Sequence, residues 1–314
     1  MNIKQFVLSV LTLVFTQLLT AQIWFDPSNP DKSEKTINKL VSAKINDLKK
    51  NNVKKIIIFN CVGEYVLSRT TSPGAWEAKD MPYYDRYKVE EKIKTTESPV
   101  LNQEYCVYLT SQFLDSVVAM FKVAGIEVVP AETWQKHEAY QEMKKLMLEY
   151  DKDEGTKYNY LTDNVTTRKL TVPAYDYRVF PENIFKAIKY TKLENYEKGK
   201  MLEAYGAEAF CNIIIKIDGT DSKPSIRAID MFFQTGAKKI RTGTKDKEGN
   251  EIFTISMTSF PAIVITDMIQ YNNSTLNSKN FVDVNNYNKA ITEMYSYILS
   301  LYADKIKAVM SGSK

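Results

Sequence analysis

Apolar residues recur along the chain in two rhythms, a helical spacing of about 3.6 residues and short β-branched runs, and these set the expected elements. Ile37, Leu40, Val41, Ile45 and Leu48 predict one helix, opened at Asp31 by a capping box with Glu34 and closed at Asn51-Asn52. Lys54 to Asn60 (KKIIIFN) predicts a buried strand. Residues 63–104, with Pro73-Gly74, Pro82 and Pro99, read as a long loop-rich insertion. Tyr105, Leu109, Phe113, Val117, Phe121 and Ala124 return to helical spacing, and Gly125 is the stop. Ile126 to Pro130 is the next strand, and a polar helix is expected from Thr133 to Tyr150. Residues 151–181, rich in tyrosine, form a second insertion with at most one short strand.

Helices over Glu182 to Tyr190 and Leu193 to Tyr205 lead into a buried strand, Cys211 to Asp218. Ser225 to Gln234 pairs with that strand as a hairpin across the turn Gly219 to Pro224. Gly236 to Asn250 reads as a basic, turn-rich excursion, followed by two strand candidates, Glu251 to Met257 and Ala262 to Met268. After an Asn-rich loop over 271–288, Ile291, Met294, Tyr295, Ile298, Leu301, Tyr302, Ile306 and Val309 mark a strong terminal amphipathic helix. The sum is an α/β (α+β) fold: a small mixed sheet with helices packed on it, a long C-terminal helix and two loop-rich insertions. Residues 22–314 are expected to form a single domain, with the insertions at about 63–104 and 151–181.

The amino terminus has a different logic. Lys4 precedes an apolar run from Phe6 to Leu19, and Thr20-Ala21 supply a small-residue cleavage context before Gln22. That is the layout of a signal peptide over residues 1–21, and the run is short for a membrane span. Export is the expectation, with no membrane span after cleavage. The exported chain keeps 41 of the 42 basic residues against 38 acidic ones, a balance of +3. Such a charge gives no electrostatic argument for nucleic acid.

Candidate chemistry is sparse. His137 is the sole histidine, which excludes a multi-His metal site. Cys61, Cys106 and Cys211 lie in apolar surroundings and read as buried thiols. A Cys61–His137 pair would be a nucleophile and its base only if the fold joined them. Glu90-Glu91, or Glu132 with Glu138, would serve a glycosidase only at the right separation. Asp151-Lys152-Asp153-Glu154-Gly155 starts like a calcium loop, but Thr156 and Thr162 stand where glycine and glutamate are required. No phosphate-loop glycine motif occurs. Lys238, Lys239, Arg241, Lys245 and Lys247 make a basic patch, interrupted by Asp246 and Glu248, that reads as a solvated hairpin tip. No cofactor or metal is expected.

The aromatic residues of the insertions carry more. Trp76, Tyr83, Tyr84 and Tyr87 lie among prolines and charges, off any core periodicity. Amphipathic rings in such a setting suit recognition. With Tyr158, Tyr160, Tyr175 and Tyr177 of the second insertion they are either a surface for a protein or glycan partner or a lid packed over their own domain.

The order of elements, with Phe59 ending the first apolar strand and Gly206-Ala207-Glu208 before Asn212-Ile213-Ile214-Ile215, resembles a periplasmic module. That module is shared by the curli secretion protein CsgG, the amino-terminal domain of TolB and the lipoprotein LpoB. The matching stretches are about 53–62, 104–136 and 200–310. This chain departs from the pattern in lacking a lipid-bearing cysteine after the leader, and it shows no pair of uncharged alternating segments of barrel length. The resemblance implies a non-catalytic factor of the periplasm or outer membrane, acting on envelope proteins or glycans and able to form homo-oligomers. The alternative is a secreted hydrolase using carboxylates or the Cys–His pair.

Overall fold

The computed structural model describes residues 23–42, 44–71, 94–141, 165–175, 177, 198–221, 223–245, 249, 251–265, 268–272 and 278–312. In chain order these form β1 (Ile23–Phe25), α1 (Pro30–Leu40), β2 (Val41–Ser42), α2 (Ile45–Lys50) and β3 (Lys55–Thr71). Then come β4 (Lys94–Glu97), α3 (Gln103–Val123), β5 (Glu127–Val128), α4 (Ala131–Trp134), β6 (Val165–Pro173) and a helix over 198–205, here α5. The last elements are β7 (Ala209–Asp218), β8 (Ser225–Lys245), β9 (Glu251–Ile265), β10 (Ile269–Tyr271), a short 3-10 turn (Ser278–Val282) and α6 (Val284–Ser311).

The α/β class holds. The strands make one mixed sheet of ten, ordered β1-β10-β8-β7-β3-β4 along its main path. β3 and β7 run parallel at its centre, and β7 and β8 form the expected antiparallel hairpin. Ile58, Cys61, Gly63 and Tyr65 share one face of the sheet with their partners Cys211, Ile213, Ile215 and Ile217. All eight are buried. Helices α3 and α6 lie on this face. Phe121 of α3 meets Phe233 of β8 edge-on at 5.9 Å, and Phe113 meets Tyr295 of α6 at 5.3 Å. By length and composition α3 could cross a membrane, but half of that window is buried. Asn102 caps it, accepting the Tyr105 N–H at 2.9 Å, and Gly125 ends it at φ +80°.

Packing is closest at Gly63. A Cβ there would lie 2.3 Å from the Thr110 hydroxyl oxygen and 2.5 Å from the Tyr65 ring. Both neighbours are fixed, because the Tyr65 hydroxyl donates to the Cys106 carbonyl at 3.0 Å and is 2.7 Å from the Thr110 hydroxyl. Only glycine lets α3 approach β3 this far.

Several expected elements change. The helix from Asp31 breaks, since Val41 and Ser42 leave it to pair with Ile265 and Val264 of β9. The first strand does not stop at Asn60. It runs on to Thr71, so the supposed insertions at 63–104 and 151–181 are partly sheet. Val62–Thr71 of β3 pairs antiparallel with β6, and Ser68–Thr71 pairs with β4 on the other edge. Residues 236–245, most of the stretch read as a turn-rich excursion, continue β8 paired with β9, with register shifts after Thr235 and after Arg241. The two later strand candidates are one strand, β9, with Ala262 bulged between Pro261 and Ile263. The sheet is therefore larger than the small one expected. Of the polar helix expected from Thr133 to Tyr150, the described residues show α4 and, after a break at 135–137, a helical turn over 138–141, while 142–150 lie outside the described residues.

The Gly206-Ala207-Glu208 segment is a splice between helix and sheet. Gly206, at φ +57°, ends α5, and Ala207 donates back to Leu202 at 3.0 Å. The Glu208 carboxylate accepts the backbone N–H groups of Lys54 and Lys55 at 3.1 and 2.6 Å, fixing the start of β3.

Candidate functional site

The bulge in β3 positions the candidate site. Between Ile58 and Asn60 the pairing with β7 shifts by one residue. Phe59 and Asn60 thereby both leave the helical face. Phe59 packs on Phe210 at 5.4 Å and on Trp134 at 5.9 Å, with the Lys198 ammonium 4.2 Å above its ring. Along this edge β5 covers only Lys55 and Ile56, and β6 begins only at Val62. Backbone bonds close the two ends of the gap, from Val129 N–H to the Ile56 carbonyl and from Ala174 N–H to the Cys61 carbonyl, each 2.9 Å. The chain segments flanking the gap stand apart and leave a cleft.

This cleft encloses about 500 Å³. Leu114, Val118, Val128, Val129, Pro130 and Tyr177 make its apolar wall, and Asp115, Glu132, Gln135 and Tyr175 give polar groups. The combination of an apolar floor and few polar groups suits ligand binding. Trp134, wholly buried, backs it, packing edge-on against Tyr140 at 4.9 Å and Tyr177 at 5.8 Å.

Tyr175 is the unusual residue. It is 55% exposed yet sits in the left-handed region at φ +43°, a costly conformation for a bulky residue. Two bonds hold it there. Its N–H donates to the Ser111 hydroxyl at 3.0 Å, and its hydroxyl donates to the Asp115 carboxylate at 2.6 Å. The Asp115 bond, aided by partial burial, pushes the Tyr175 hydroxyl up to about 12. The phenol therefore stays protonated, and stays a donor to Asp115, across the physiological range.

The other sequence candidates fall differently. Trp76, Tyr83, Tyr84, Tyr87, Tyr158, Tyr160, Glu90, Glu91, Lys247 and the segment from Asp151 lie outside the described residues. Of the aromatic set, Tyr175 and Tyr177 are placed, and both line the cleft. Glu132 joins them there, whereas Glu138 is exposed on the turn of helix beyond. The partner carboxylate of Glu132 is Asp115, which the sequence reading missed. Its local signal was a lone charge in the middle of the helix, between Leu114 and the pair Val117-Val118.

Cys61 and His137 are not brought together. The His137 ring accepts the Ala139 N–H at 3.1 Å and packs edge-on against Tyr205 at 5.6 Å. Cys61 is fully buried, and desolvation, with the nearby Asp115 charge, pushes its thiol far up. Burial likewise raises Cys106 to about 12, and raises Cys211 strongly. All three thiols are free. Iodoacetamide is expected to leave them unmodified in the folded protein and to label all three after unfolding, as read by mass spectrometry. Rapid native labelling of Cys61 would contradict its burial. Among the described residues no cluster of three or more His, Cys, Asp or Glu could hold a metal ion.

No family model matches the chain. Neither a curated protein nor a solved structure matches it significantly.

Proposed function

We propose that this chain is an exported, non-catalytic binding or assembly factor of the cell envelope, which works by contact with a partner protein or glycan. Residues 1–21 are its leader, and the cleft at the open edge of β3 is its recognition site. The observation that carries the reading is Tyr175, a large exposed ring held over an apolar cleft at a conformational cost. Strain of this kind clusters at ligand clamps, and a ring with a polar tip offers contact area at small entropic cost. The order of elements supports the same reading, through its resemblance to the CsgG, TolB and LpoB module.

A test pairs Tyr175→Ala with Val118→Asp, two changes at exposed positions of the cleft. Cross-linking in intact cells is expected to give a discrete adduct with the unaltered protein. Each variant is expected to reduce that adduct roughly tenfold, the loss of an anchor contact worth about 1.4 kcal/mol. Unchanged adduct yield in both variants would remove the cleft from the function. Amino-terminal sequencing of the envelope fraction should begin at Gln22.

One observation favours the hydrolase alternative, namely that Asp115 and Glu132 line the same cleft. Acid–base work by carboxylates needs one of them protonated near neutral pH. Asp115 is instead engaged by Tyr175, whose hydroxyl donates to its carboxylate at 2.6 Å. Turnover of a glycan that disappears in Glu132→Gln would establish the hydrolase reading.

A further inference from the structure

Resting on the cleft as recognition site, we infer that its ligand is a basic segment of a partner polypeptide, docked through a lysine or arginine side chain. The two charged residues lining the cleft, Asp115 and Glu132, are both acidic. Among the described residues neither is held in an ion pair. The chain nearby supplies both things a long cationic side chain uses. Leu114, Val118 and Val128 offer an apolar wall for its methylene stem, and the carboxylates offer charge for its head. Tyr175 adds a third element. An exposed ring beside a carboxylate is a favourable seat for a cation, through its π-face as well as the charge. Because the Tyr175 hydroxyl is spent on Asp115, the ring is held in place rather than free to swing.

The same features disfavour other ligands. An anionic group would meet two carboxylates that no cation among the described residues pairs. A neutral apolar side chain would fill the wall and leave the Asp115 and Glu132 carboxylates to be desolvated without a countercharge, which costs binding.

The test uses three fluorescein-labelled pentapeptides, Gly-Ala-Xaa-Ala-Gly, with lysine, norleucine or glutamate at the centre. Binding to the whole protein is followed by anisotropy, with the methyl signals of Leu114 and Val118 reporting the place. The lysine peptide is expected to bind roughly tenfold tighter than the norleucine peptide, of the order for one partly desolvated cation contact. Glu132→Gln should remove most of that preference and leave the norleucine peptide unchanged. Added salt should act in the same direction. Equal binding of the lysine and norleucine peptides, or a lysine preference that survives Glu132→Gln, overturns the inference. If the norleucine peptide binds equally and Val118→Asp abolishes both, the cleft stands as the recognition site and the cationic ligand falls. Chitotriose shifting the same methyl signals while no peptide does would replace the basic segment with a glycan. If no probe moves those signals, both the inference and the cleft are overturned.

Discussion

Asp218→Ala is expected to lower the unfolding free energy by about 3 kcal/mol, read as a fall in the urea midpoint at unchanged slope. The Asp218 carboxylate is completely buried at the end of β7. One oxygen accepts from Arg69 and from Arg227 Nε, the latter at 3.2 Å, and the other accepts the Thr220 N–H and hydroxyl at 3.0 and 2.6 Å. Removing it strands two guanidinium groups and two polar donors together. The arginines are 36% and 33% exposed, so water relieves part of the penalty and the loss falls at the low end for a broken buried pair. Arg227 also keeps Asp221, at 3.1 Å. Arg69 lies on the distal half of β3, so the carboxylate ties that extension to the β7–β8 turn. Amide exchange should therefore quicken first over residues 67–71, beyond the parallel pairing with β7, before the parallel centre of the sheet. Arg69→Met, which leaves Asp218 its bonds from Arg227 and Thr220, should cost less than half as much. Equal losses in the two variants would show that the carboxylate is not the hub.

The parts of this architecture that were legible are those where one stretch of chain carries its own reason. The runs around Ile56–Ile58 and Ile213–Ile215 are too apolar to be anything but buried strands, and both lie at the sheet centre. The long helices α3 and α6 announce themselves by spacing, although α6 starts at Val284, inside the stretch read as an Asn-rich loop over 271–288. The extension of β3 was hidden because its residues change character. After Cys61 the face toward α3 still reads Gly63, Tyr65 and Leu67, but Glu64, Ser68 and Arg69 interrupt it and look like a connection. Its partner β6 begins at Val165, nearly a hundred residues on, and no local pattern encodes such a pairing. The cleft is hidden for the same reason. Asp115 and Tyr175 are 60 positions apart and meet only because Ala174 bonds to Cys61 and turns the chain back over α3. The two insertion tyrosines that could be placed did reach one site, because a ring with a polar tip is stable where an apolar wall opens to water. Asp218 left one readable trace, the Asp-Gly-Thr sequence after an apolar strand, which signals a side chain turned onto its own backbone.

The second large effect joins stability to recognition. Trp134→Ala should cost about 4 kcal/mol, the range for deleting a large buried ring. The indole has no exposed surface, and Phe59, Tyr140 and Tyr177 all pack on it. Among the described residues its N–H has no hydrogen-bond partner, so that group works against burial. Trp134→Phe should consequently cost far less, about 1 kcal/mol, since it removes an unsatisfied donor along with some packing. The pair of variants separates two roles of the residue. Tyr177 lines the cleft with its ring leaning on the indole, and α4, which ends at Trp134, carries Ala131 and Glu132. With alanine, Tyr177 and α4 lose their common support and the wall can relax into the void. The lysine peptide should then bind the folded Trp134→Ala protein several-fold more weakly, although no ligand-lining residue has changed. Trp134→Phe keeps a ring between Phe59 and Tyr177, and should keep the affinity. Equal affinity of the alanine variant, measured below its unfolding transition, would mean that the cleft is shaped by α3 and Tyr175 alone and owes nothing to the aromatic cluster behind it.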